Sequence, residues 1–149
     1  FAASHPILRG DELWFYYTGI DVRYRPGNVD SRRDWYHGGI HLAKLRRDGF
    51  VSLHAGAEPG FVETRAVRFA GDRLFVNATI RGELTAEVVG PDGVSPLPGW
   101  EKAACTPVTG DQLRAEIRWP GRDLAELKGK PIRLRFHLRD ADLYSFWFD

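Results

Sequence analysis

The chain has 149 residues, 43% hydrophobic and 28% charged, with a formal net charge of +1; that is length for one globular domain, or one domain with part of another. Charges of both signs are scattered along it, which argues against nucleic acid or an anionic membrane surface as a partner, and no apolar run is long enough for a spanning helix. A lone cysteine, Cys105, excludes an internal disulfide and a multi-cysteine metal site, and the composition suits a soluble protein, cytoplasmic or secreted.

The opening segment FAASHPILRG lacks the basic start and apolar core of a signal peptide. It also lacks an initiating methionine, and the expectation is a chain that begins partway through a larger structure. The first strand signal is LWFYYTG, Leu13 to Gly19, apolar or aromatic on both faces. A strand of that kind needs cover on both sides. A polar stretch from Ile20 to Gly38 follows, carrying Tyr24, Trp35 and Tyr36, and a loop of that length is usually functional or disordered. GGIHLAKLRRDGF, Gly38 to Phe50, reads as a second strand. VSLHAGAEPG then gives one short strand and a Gly/Pro linker, which places a domain boundary near residues 48 to 60.

The remainder reads as all-β. TRAVRF, RLFVNATI, ELTAEVV, QLRAEIRW, IRLRFHL and DLYSFWF are strand signals. In IRLRFHL, Ile132, Leu134, Phe136 and Leu138 face one way and Arg133, Arg135 and His137 the other, which predicts one buried and one wet face. Ala70-Gly71-Asp72 and Arg81-Gly82 read as tight hairpin turns, and Arg139-Asp140 as a turn between the last two strands. Gly90 to Asp111 is a Pro/Gly-rich loop containing Trp100. The one helical signal is RDLAELKG, with Asp123 as cap, Gly129 as stop and Pro131 beyond. At least six strands between Phe61 and Phe148 suit an antiparallel β-sandwich, jelly-roll-like, over residues 51–149.

The first fifty residues resemble the last blade of a five-bladed β-propeller glycoside hydrolase, of the invertase- and levanase-related family 32 and the arabinanase-like enzymes of family 43. The matching residues are Tyr16, Tyr17 and Gly19, then Gly39, Ile40, Leu42 and Ala43, then the turn Asp48-Gly49-Phe50. In that family such a turn leads into a C-terminal β-sandwich, which Lys128 to Phe148 also resembles. The resemblance implies a β-propeller blade remnant over 1–50, a β-hairpin in itself, and missing N-terminal blades that would hold the catalytic carboxylates. The family's W-x-N-D-P, R-D-P and E-C segments do not occur here: Arg33-Asp34 precedes Trp35, Arg122-Asp123 precedes Leu124, and Ala104 precedes Cys105. No catalytic residue, cofactor or metal carries over.

Other chemistry is sparse. Asp140 and Asp142 lie at alternate positions, as hard oxygen ligands for structural calcium would, although one turn supplies few of them. The histidines at 5, 37, 41, 54 and 137 show no metal-motif spacing, and Cys105 and the serines sit in no nucleophile motif. Asn77-Ala78-Thr79 is a glycosylation sequon placed mid-strand, where packing is the better role for Asn77. Sugars bind by stacking on aromatic rings with polar groups at their edges, so Tyr24, Trp35, Tyr36 and Trp100 are the candidate carbohydrate-binding residues, while the alternative, weighed above ligand contact, is that Trp100 plugs one end of the sandwich and the loop aromatics pack on missing blades. The expected function is a non-catalytic C-terminal portion of a glycoside-hydrolase-like protein, supporting the propeller and contacting carbohydrate. The alternatives are a free-standing carbohydrate-binding module, or a structural sandwich in which Leu13, Trp14, Phe15, Tyr16 and Tyr17 pair with a second copy.

Overall fold

The computed structural model describes residues 5–20 and 38–149, and the chain divides into two compact units, Phe1–Arg47 and Asp48–Asp149. It is all-β with antiparallel pairing throughout, and two short 3-10 turns are the helical segments among the described residues.

The first unit is a three-stranded sheet in the order β1 (Ile7–Arg9), β2 (Glu12–Ile20), β3 (Gly38–Arg46). β2 and β3 pair without a break from Glu12–Arg46 to Ile20–Gly38. Residues directly opposite in an antiparallel pair share a face. Leu8, Leu13, Phe15, Tyr17, Ala43 and Leu45 therefore lie on one side, and Ile7, Trp14, Tyr16, Ile40 and Leu42 on the other. Both sides are apolar, as the sequence of β2 predicts, and Ile40 is 82% exposed. Arg9 and Lys44 lie over the Trp14 ring, while Glu12 accepts its indole N–H at 2.7 Å and pairs with Lys44. On the opposite side His41 stacks on Tyr17 and lies across Gly19, where a side chain would collide with the imidazole.

β2 is the central strand. Leu13 and Trp14 are paired on both edges, to β3 and to β1. A second copy cannot add to those residues as a further strand without displacing β1.

The second unit is a sandwich-like five-stranded sheet in the order β4 (Leu53–Ala55), β8 (Arg133–Phe148), β6 (Leu74–Val89), β7 (Val108–Ile117), with β5 (Gly60–Glu63) also pairing β8. Four named strands therefore lie between Phe61 and Phe148, not six. RLFVNATI and ELTAEVV are one continuous strand, as are RLRFHL and DLYSFWF. The two expected turns are kinks facing each other. The β6–β8 register shifts between Ile80 and Glu83, opposite Asp140, whose φ is +51°. A Cβ on Gly82 would sit 2.3 Å from the Arg139 carbonyl oxygen, so the glycine is there for close approach rather than for chain reversal. The expected hairpin at Ala70-Gly71-Asp72 is also absent: Val67 bridges Ile132, whereas Leu74 pairs with Ile117 and Phe148.

These irregularities keep the core on one side. A one-residue slip moves a whole strand's side chains to the other face. Inward residues of β8 run Leu134, Phe136, Leu138, then Ala141, Leu143, then Phe146, Phe148. The alternation resets at Asp140 and again at Tyr144, matching the second register shift between Asn77 and Ala78. On β6 the inward set is Leu74, Val76, Ala78, Ile80, Leu84, Ala86 and Val88.

The Gly90–Asp111 stretch runs beside the second half of β6. The Val88 N–H donates to the Trp100 carbonyl, Leu97 N–H to the Val88 carbonyl, and Ala86 N–H to Cys105 Sγ. These bonds tie the irregular stretch to the edge of β6. The helical signal becomes a 3-10 turn, Leu124–Leu127, with Asp123 and Glu126 forming a capping box and Leu124 and Leu127 buried.

Candidate functional site

The outward face of β5, β8 and β6 holds a cluster of paired charges. Register sets Glu63, Arg135 and Glu87 in one row across three strands, with Phe61, His137 and Thr85 in the next. Arg135 donates to Glu63 through Nε at 2.9 Å and Nη2 at 2.7 Å, and to Glu87 through Nη1 at 2.6 Å. Arg133 adds a bond to Glu63 at 3.0 Å, and the Lys102 backbone N–H a longer one to Glu87. The Arg135 guanidinium lies over the Phe61 ring. This face was expected to be wet, yet the Glu87 side chain is only 7% exposed.

The chemistry follows from the pairing. Hydrogen bonds from Arg135, then Arg133, hold the Glu63 carboxyl below its ordinary value of 4.5, against desolvation. Arg135 in turn is held still more firmly protonated, chiefly by Glu63. A glycosidase needs one carboxyl that stays protonated to act as acid. Here both carboxylates grip one cation, so the row works as a clamp between strands. Charge-assisted bonds of this kind are stronger than neutral ones. Arg135→Leu should therefore destabilise the second unit by about 2 kcal/mol, mostly by leaving buried Glu87 short of its partner. Urea unfolding would measure it, and an unchanged midpoint would refute the clamp.

The pH dependence has a definite sign. A carboxyl whose folded pKa is depressed contributes stability above its unfolded value and loses it as pH falls through the folded one. Glu63 should thus add stability that fades below pH 4.5, and Arg135→Leu should flatten that slope. Equal acid slopes in both proteins would count against it.

The candidate sugar-binding residues fall in different places. Tyr24, Trp35 and Tyr36 lie outside the described residues. Trp100 is 3% exposed and meets Trp119 edge-on at 5.2 Å between ring centres. It lies at the base of an open groove of about 860 Å³ whose rim includes Arg73, Arg118, Arg122 and Glu116. Neither indole presents an open face there, so Trp100 is a core residue and offers no stacking platform.

The remaining sequence features are structural. Asp142 accepts from Ser52 Oγ and lies against His54 Nδ1, each at 3.0 Å. The Ser52 proton thus goes to a carboxylate and not to an imidazole, which is not a nucleophile arrangement. Among the described residues no group of three or more His, Cys, Asp and Glu is placed to hold a metal. Cys105 is buried, and burial pushes its thiol pKa up, the opposite of a nucleophile's need. Asn77 is also buried, so the folded sequon is closed to glycan transfer.

The row Glu63–Arg135–Glu87 was not anticipated as a unit. Its signal was the outward alternation of Glu83, Thr85 and Glu87 on one strand and Arg133, Arg135 and His137 on another. Only the register brings the opposite charges together. Comparison with protein families, with curated proteins and with solved structures finds no match to this chain.

Proposed function

We propose that this chain is a non-catalytic C-terminal portion of a glycoside-hydrolase-like β-propeller protein, in which the second unit braces the propeller. The observation that carries the reading is the first unit's sheet. Its two apolar faces leave Ile7, Leu8, Tyr17, Ile40 and Leu42 exposed, and exposed apolar patches of that kind mark interaction surfaces. A propeller blade is a small antiparallel sheet that buries both faces against neighbouring blades. The Tyr16-Tyr17-x-Gly19 strand and the Gly39-Ile40-x-Leu42-Ala43 strand, paired side by side, fit such a blade. The Glu63–Arg135–Glu87 clamp supports the non-catalytic part, because Arg135 binds both side chains and holds Glu63 below the ordinary carboxyl range. In this reading carbohydrate contact falls to Tyr24, Trp35 and Tyr36 rather than to Trp100.

The chain should release no sugar from fructan, arabinan or aryl glycosides above the buffer rate, and turnover abolished by a point mutation would overturn the proposal. The intact gene should encode repeated blade strands and a W-x-N-D-P-type segment upstream. A reading frame without them removes the propeller. Silence on a saccharide array removes carbohydrate contact and leaves the bracing role standing.

A further inference from the structure

Side-chain burial divides the chain at the connection between its units. Among the described residues up to Arg47 no side chain is buried, although β1, β2 and β3 form a sheet. The core begins at Ala55, and every residue of its cluster belongs to Asp48–Asp149. Residues 48–52, ahead of that core, belong to no strand. Their middle is apolar and open to solvent: Phe50 is 66% exposed and Val51 75%. A core drawn from one unit alone keeps its driving force when the chain is cut ahead of it.

We propose that the peptide bond between Phe50 and Val51 is a processing site, hydrolysed by an endoprotease whose primary pocket takes an aromatic side chain, and that the cut releases residues 51–149 as an intact domain. The reaction adds one water across the amide. Its oxygen goes to the Phe50 carbonyl carbon, the C–N bond breaks, and Val51 leaves as the free amine. No ladder pair of the second unit is lost. β4 starts two residues later, with Leu53 opposite Leu143, and Ser52 stays anchored to Asp142. Phe61 shows what selects the bond. It too is 66% exposed, so side-chain access alone does not separate the two. Their backbones do. Phe61 stands opposite His137 in the β5–β8 ladder, and the Arg135 guanidinium lies over its ring. A protease cleft takes an extended segment, so β5 would first have to leave β8. Phe50 has no ladder to open. The core aromatics Phe69, Trp100, Trp119 and Phe136 are buried and reached only by unfolding. This accessibility belongs to the connection and owes nothing to the blade reading.

Brief digestion of the whole chain with a low ratio of chymotrypsin, followed by intact mass spectrometry, tests the site. The expected result is a persistent fragment starting at Val51, formed at least about tenfold faster than any product cut after Phe61. Its urea midpoint should equal that of the second unit's transition in the uncut chain. Phe50→Ser should abolish the fragment and leave that transition in place. Persistent fragments in which Phe50 and Val51 remain joined would overturn the proposal. So would earlier cleavage after Phe61, or a released domain that unfolds at lower urea than the uncut chain.

Discussion

Gly82→Val should destabilise the second unit by roughly 3 kcal/mol, at the upper end of what overpacking costs. The Cβ of any replacement would start 2.3 Å from the Arg139 carbonyl oxygen and 3.1 Å from the Asp140 Cβ. The nearest atoms are backbone, so no side-chain rotation relieves the clash. The opposing strand is also pinned, since the Asp140 N–H donates to the Gly56 carbonyl at 2.7 Å and Asp140 already occupies a positive φ. Relief requires the β6–β8 register to open at its midpoint. Gly56→Ala is the control. Its Cβ would meet nothing within 4 Å, and it should stay within about 0.5 kcal/mol of the parent. Urea unfolding of the pair distinguishes the outcomes, and a stable Gly82→Val protein would mean that the kink does not depend on close approach.

Trp100→Ala should be the larger loss, about 3–5 kcal/mol, because it empties an indole's volume from the core. Trp119 would lose its edge-on partner at 5.2 Å, and its indole N–H would keep only the Ala86 carbonyl as an anchor. Trp100→Phe retains a ring and should lose less than half as much. The comparison separates a structural from a binding role. A core residue lowers the unfolding midpoint in proportion to lost volume. A sugar platform would leave the midpoint unchanged and weaken saccharide affinity, and that pattern would return Trp100 to the binding residues.

Much of the architecture is legible in the sequence. The two-faced apolar β2 and the strict alternation in Arg133–Leu138 each predict the strand found there, and Asp123 and Gly129 bracket the turn they were expected to bracket. The errors share a cause. Arg81-Gly82 and Arg139-Asp140 carry the local chemistry of turns, and glycine supplies the same signal for a reversal and for close backbone approach. Only strand pairing, which is non-local, tells the two apart. The clamp was hidden for a related reason. Glu63, Glu87 and Arg135 look like ordinary outward charges until β5 and β6 are placed on either side of β8. Trp100 reads in the sequence both as a sugar platform and as a packing residue, because a Pro/Gly-rich segment leaves its exposure open. In fact this one lies along the edge of β6 and carries its indole inward.

The placement of β8 has a consequence for how the protein is made. It supplies the pairing partner of β4, β5 and β6, three strands synthesised well before it. A ribosome adding residues from the N-terminus would release all three with their ladder partner still unmade. Only β6 with β7 can zip in advance, and two strands alone are marginal in water. Assembly of the second unit therefore waits for Arg133–Phe148 to emerge. Until then the apolar row of β6 has no partner strand on the β8 side, which makes slow folding the expectation from connectivity alone.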